Sequence, residues 1–122
     1  MKSSVVLLQS NPEVEQSLAA TLLSSFRSVH AVRSLEELRA GILKHRARVV
    51  ILDMEMAPLP EVERLSHEFP GLSVVCTHRL ADEEMWTAAL SAGASDICPT
   101  YDTHGILTAA LHNARPTRSV AA

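Results

Sequence analysis

A chain of 122 residues, 47% hydrophobic and 20% charged, has the length of one domain and the composition of a globular one rather than of a disordered segment. Its formal net charge of -3 offers no basic surface for nucleic acid or anionic lipid. No apolar run approaches the ~20 residues that span a bilayer, and the stretch at Val5–Leu8 ends in polar Gln9-Ser10-Asn11-Pro12 without a small-residue cleavage site, so a cytoplasmic chain without a signal peptide is expected.

The elements alternate along the chain. Ser4 to Gln9 is an unbroken β-branched and apolar run, the pattern of a strand covered on both faces. Asn11-Pro12 supplies a helix cap followed by proline at the first helical position, and Val14, Leu18, Leu22 and Leu23 recur behind it at helical spacing. Arg27 to Val32 alternates like an edge strand. Ser34 to Glu37 reads as a capping box, with Leu35, Leu38, Ile42 and Leu43 marking one face of a second helix. Ala47 to Asp53 is a second buried strand, ending on a carboxylate. A loop over Met54 to Leu59 leads to a short helix carrying Val62, Leu65 and Phe69, which Pro70-Gly71 breaks. Leu72 to Thr77 is a third buried strand. Asp82 caps a helix bearing Met85, Trp86, Ala89 and Leu90, and Gly93 stops it. Ser95 to Cys98 is a short strand, and a last helix runs from about Thr103 to Asn113.

Five strands alternating with five helices predict an α/β fold. Right-handed crossovers give a doubly wound parallel sheet in order 2-1-3-4-5, covered by helices on both faces. One domain over residues 1–114 and a tail over residues 115–122 follow. In such a sheet, ligands sit beyond the carboxyl ends of the strands, near the switch point. That rule selects Gln9, Ser10 and Asn11 after the first strand and Asp53 after the third. It also selects Thr77 and His78 after the fourth, and Pro99 and Thr100 after the fifth.

Those positions carry a resemblance. VVLLQSNP, VVILDMEMAP, SVVCTHR and ALSAGASDICP, in that order, make nearly the whole chain similar to the CheY-like receiver domain of response regulators. The resemblance implies a flavodoxin-like receiver fold and a role in two-component or phosphorelay signalling, with a histidine kinase or another protein as partner. It places Asp53 at the phospho-acceptor position and Thr77 at the switch position. It also implies an acidic pair after the first strand to hold Mg²⁺, where this chain has Gln9 and Ser10, with Asn11 where a third acid is common. A lysine is implied after the fifth strand; the gapless reading puts Thr100 there, a shortened strand would put Cys98 there. Ile97 stands where many receivers keep a switch Tyr or Phe. Receivers often dimerise through the fourth helix, fifth strand and fifth helix, which makes Met85 and Trp86 candidates for an exposed interface; Trp86 could equally cap the core.

Carboxylate oxygens suit Mg²⁺, and phosphoryl transfer rests on positioning and charge neutralisation. The departures therefore predict a pseudo-receiver that signals by protein contact with no cofactor and no catalytic residue of an enzyme. The alternative is a working receiver, phosphorylated on Asp53 by a histidine kinase with Mg²⁺. Asp53 could otherwise be a polar anchor or a relic, and Thr77 a loop contact. Glu55 reads as a solvated loop charge or a control on access to Asp53. A cofactor enzyme of the same architecture lacks its glycine-rich phosphate loop here. Cys76, His78 and Cys98 could supply soft ligands but lack a fourth, and the two cysteines read as buried packing residues. His30, His45, His67, His104 and His112 have no ligand spacing and are expected on the surface.

Overall fold

The computed structural model describes residues 3–113. Its elements are β1 (Ser4–Leu8), α1 (Pro12–Leu23), β2 (Ser28–Val32), α2 (Leu35–His45) and β3 (Val49–Asp53), then α3 (Leu59–Glu68), β4 (Ser73–His78), α4 (Glu83–Ser91), β5 (Asp96–Pro99) and α5 (Thr103–Asn113). The sheet is parallel throughout, in order β2-β1-β3-β4-β5. The expected topology is therefore the observed one. β5 starts and ends one residue later than the sequence pattern indicates, and the tail expected from residue 115 lies outside the described residues.

Alternation along each central strand builds two cores. Val6, Leu8, Val50, Leu52, Val74, Cys76 and Ile97 face α2, α3 and α4 through Leu38, Ile42, Val62, Leu65 and Ala89. Val5, Leu7, Val49, Ile51, Val75 and Cys98 face α1 and α5 through Leu18, Leu22 and Ile106. All five residues of β3 are buried, which is why its sequence shows no polar alternation. β2 lies at the edge with none of its residues fully buried.

The predicted caps form. The Asn11 side chain accepts from the amides of Glu13 and Val14, the Ser34 hydroxyl from Glu37, and the Asp82 carboxylate from Met85. The capping box closes differently from the usual pattern: the Glu37 carboxylate accepts from the Arg33 amide at 2.8 Å, one residue before the cap. Gly93 ends α4 at φ 106, and a Cβ there would run into Ser66 of α3. α2 ends without glycine: Arg46 takes the left-handed conformation at φ 51, ψ 47. A non-glycine residue there costs roughly 1 kcal/mol. Its exposed side chain makes no described contact that glycine would lose, so Arg46→Gly is expected to raise unfolding stability by about 0.5 kcal/mol, glycine's greater unfolded-state freedom offsetting part of the gain. A shift of the urea midpoint to lower concentration would contradict this.

The α2 end also holds a finding that the sequence does not announce. His30 and His45, expected as separate surface residues, are both half-buried and stack ring on ring. His30 sits on β2 opposite Val6, on the face that α2 covers.

Candidate functional site

The carboxyl ends of β1, β3 and β4 and the loop after β5 meet at one end of the sheet. Asp53 ends β3 beside Thr77 of β4, and it is 1% exposed. A carboxylate so buried must be satisfied by donors, and it is. Its Oδ2 accepts the Ser10 amide at 2.9 Å and the Ser10 hydroxyl at 2.6 Å. Its Oδ1 accepts the Glu55 amide at 2.9 Å, an Asx-type turn that carries the chain out of β3.

The neighbouring positions are equally committed. Gln9 is buried, and its side-chain amide donates to the Thr77 hydroxyl at 3.2 Å. Asn11 spends its side-chain oxygen on the α1 cap. The Thr77 carbonyl accepts the Met54 amide at 2.9 Å, which fixes the start of the loop after β3.

Ser10, Asn11, Asp53, Glu55, Arg79, Thr100 and Tyr101 line a cleft of about 200 Å³. Of the two residues that could stand at the lysine position, Thr100 is the one at the cleft. It follows β5 directly, is buried, and its amide donates to the His78 carbonyl at 3.1 Å. Its hydroxyl has no hydrogen-bond partner among the described residues. Cys98 turns instead into the core under α1 and α5. The cation that reaches the cleft is Arg79, whose Nε donates to the Glu55 carboxylate at 2.6 Å. Glu55 is thus an exposed loop charge, as expected, that also pairs with Arg79 at the cleft. Glu55 stands out in the sequence but its partner Arg79 does not, because 24 residues separate them.

The soft-ligand cluster does not assemble. Cys76 and Cys98 belong to cores on opposite faces of the sheet, and no group of three metal-ligating side chains occurs among the described residues. Burial pushes the Cys76 thiol up to about 12 and the Cys98 thiol up to about 11, so neither is a ready thiolate at neutral pH. His78 turns its Nδ1 to the Leu80 amide at 3.0 Å.

At the far side of β4 and β5, the expected interface needs correction. Trp86 is 47% exposed and projects from α4. Met85 adds less to that surface than expected: it is half-buried and packs against the α2–α3–α4 core. Met85 and Ala89 are four residues apart and therefore share the inward face of α4, which leaves Trp86 outward. Ile97 is buried in the same core.

No family model matches this sequence, and no curated protein sequence matches it. Solved structures do. The N-terminal signal receiver domain of a two-component response regulator from Bacteroides fragilis superimposes with a TM-score of 0.86 at 21% identity, over 96% of this chain and 100% of that one. A CheY-like protein, tadZ, from Pseudomonas aeruginosa PAO1 is 27% identical, with a TM-score of 0.71 over 98% and 99% of the two chains. An atypical orphan response regulator, described as revealing a phosphorylation-independent regulatory mechanism, is 17% identical, with a TM-score of 0.79 over 92% and 95%. The chain has the CheY-like, flavodoxin-like receiver fold of two-component response regulators. No helix among its described residues is long and apolar enough to cross a membrane.

Proposed function

We propose that this chain is a pseudo-receiver: a cytoplasmic signalling domain that acts by protein contact and does not depend on Mg²⁺-assisted phosphorylation of Asp53. The observation that carries this reading is the grip of Ser10 on Asp53. Both donors of Ser10 converge on Oδ2, the kind of oxygen that a hard cation needs free. The other positions that would complete a magnesium site offer an amide turned to Thr77 and an amide oxygen turned to a helix cap. The residues present do not fit the ion.

The charge balance points the same way. An incoming phosphoryl group would meet Asp53 and Glu55, with Arg79 already paired to Glu55 and a neutral Thr100 where a lysine would offset the charge. Phosphoryl transfer is driven by positioning and neutralisation, and this cleft offers little of the second. Ser10 and Gln9 make Asp53 and Thr77 parts of a closed hydrogen-bond set that ties β1, β3 and β4 together. The likeness to an orphan regulator described as phosphorylation-independent supports the same assignment.

The test combines metal and phosphoryl donor. Amide shifts of Ser10, Asp53 and Glu55 are followed during Mg²⁺ addition, and intact mass is read after incubation with acetyl phosphate. The expected result is no saturation below about millimolar Mg²⁺, since a single engaged carboxylate is a poor site for an ion that dehydrates reluctantly, and no phosphorylated mass. Saturable shifts at sub-millimolar Mg²⁺, with a phosphorylated species that Asp53→Asn abolishes, would restore the working receiver.

A further inference from the structure

The stacked imidazoles at the end of α2 lie outside the Asp53 cleft and have no part in its chemistry. Their ring centroids are 3.4 Å apart, and their planes differ by 6°. His30 is further held in the plane of its ring: Nε2 and the Ser28 hydroxyl are 2.9 Å apart, and that hydroxyl is 2.8 Å from the Ser4 hydroxyl of β1. One ring is thus anchored to the sheet and the other to the last turn of a helix.

We propose that His30 and His45 form a proton-operated latch between β2 and the C-terminal turn of α2, closed while the His30 ring is neutral and released when it takes up a proton. Two neutral rings in parallel contact gain dispersion and lose apolar exposure. A charge on the His30 ring would lie against His45 and near Lys44 across a gap that admits no water to solvate it. The charged and titratable groups that face His30 are Lys44 and His45, both from α2; from β2 and β1 it meets the hydroxyls of Ser28 and Ser4. No carboxylate among the groups facing it balances a charge on the ring. Where Nε2 accepts from Ser28, its protonation also reverses the direction of that bond, the Ser28 hydroxyl then accepting from the ring.

The turn that closes α2 is the segment His45 adjoins. The amides of Arg46 and Ala47 both donate to the Ile42 carbonyl, the latter at 3.1 Å, and Arg46 holds the left-handed conformation that a non-glycine residue adopts only at a cost. Ala47 packs on the core and the Arg48 amide donates to the Ser4 carbonyl of β1 at 3.3 Å; the stack adds a side-chain tie from β2 to the turn just before them.

The sign follows from linkage. Burial first, then His45 and Lys44, hold the His30 imidazole below its ordinary 6.5. The unfolded or opened chain therefore protonates there before the closed one. The latch contributes fully above about pH 6.5, and its contribution is lost as pH falls through the lower value of the closed state.

The experiment reads histidine ring ¹⁵N shifts together with amide exchange in the intact chain, from about pH 7.5 to about pH 5, the span in which imidazoles titrate. Protection of Arg46 and Ala47 is expected to fall several-fold relative to Ile51 as the His30 ring charges. In His45→Phe, which keeps an aromatic face without a charge, that ratio should stay flat. It should also stay flat in His30→Gln, which can still bond Ser28. A flat ratio in the unsubstituted chain while the His30 ring titrates would overturn the latch, as would the same fall persisting in either variant.

Discussion

Replacing Ile51 by alanine is expected to lower unfolding stability by about 2–5 kcal/mol, the range for truncating a fully buried aliphatic side chain. Ile51 lies at the middle of the central strand, paired with Leu7 of β1 on one side and Val75 of β4 on the other. It is fully buried, in the core shared with α1 and α5. The cavity would open where three strands and two helices meet, so few neighbours can collapse into it, and the loss should fall toward the upper part of that range. A domain of this size has about 5–15 kcal/mol in total, which makes this one substitution a large fraction. The edge strand is the control. Val29→Ala, at a half-buried position on β2, should cost no more than about 1 kcal/mol, because less surface returns to water. Urea unfolding with an unchanged slope measures both. Equal losses at the two positions would contradict the observed strand order.

The same burial explains what the sequence discloses. A strand covered on both faces must be apolar at every position, so β1, β3 and β4 stand out as unbroken runs. Asn11, Ser34 and Asp82 announce helix starts because a cap is local chemistry within three residues. Asp53 is visible because a carboxylate closing a buried strand needs partners. Those partners are not visible. Gln9 meets Thr77 across 68 residues, and Ser10 meets Asp53 across 43; which side chains converge depends on strand register, and composition does not encode that. The His30–His45 stack depends in the same way on how α2 lies over β2. Met85 and Trp86 show the limit of pattern on a short helix. Both are apolar neighbours, and only the pairing of Met85 with Ala89 hints that Met85 points inward.

The last expectation concerns how the cleft and the α4 surface are coupled, and it rests on the pseudo-receiver reading. A two-state element responds to a ligand only if that ligand distinguishes the states. In this molecule the Thr77 hydroxyl is held by Gln9, and the β5 side chain facing α4 is a buried Ile97 rather than an aromatic that could swing. On the pseudo-receiver reading, neither Thr77 nor Ile97 is then poised to carry a change from Asp53 to α4. The α4 face should therefore keep one conformation whatever happens at Asp53, and binding energy should reside in the side chains it exposes. Trp86 is the large one, and partly exposed tryptophans are the residues whose truncation costs interfaces the most. If α4 is the docking or self-association surface, Trp86→Ala should weaken association about thirtyfold, the equivalent of a ~2 kcal/mol hot spot. Asp53→Asn, which retains one acceptor oxygen for Ser10, should leave association within about twofold, the result that the pseudo-receiver reading requires of an uncoupled surface and cleft. Sedimentation velocity of both variants, with and without acetyl phosphate, reads self-association, and pull-down reads other partners. A gain in binding that appears with acetyl phosphate and vanishes in Asp53→Asn would show that the cleft and α4 are coupled after all.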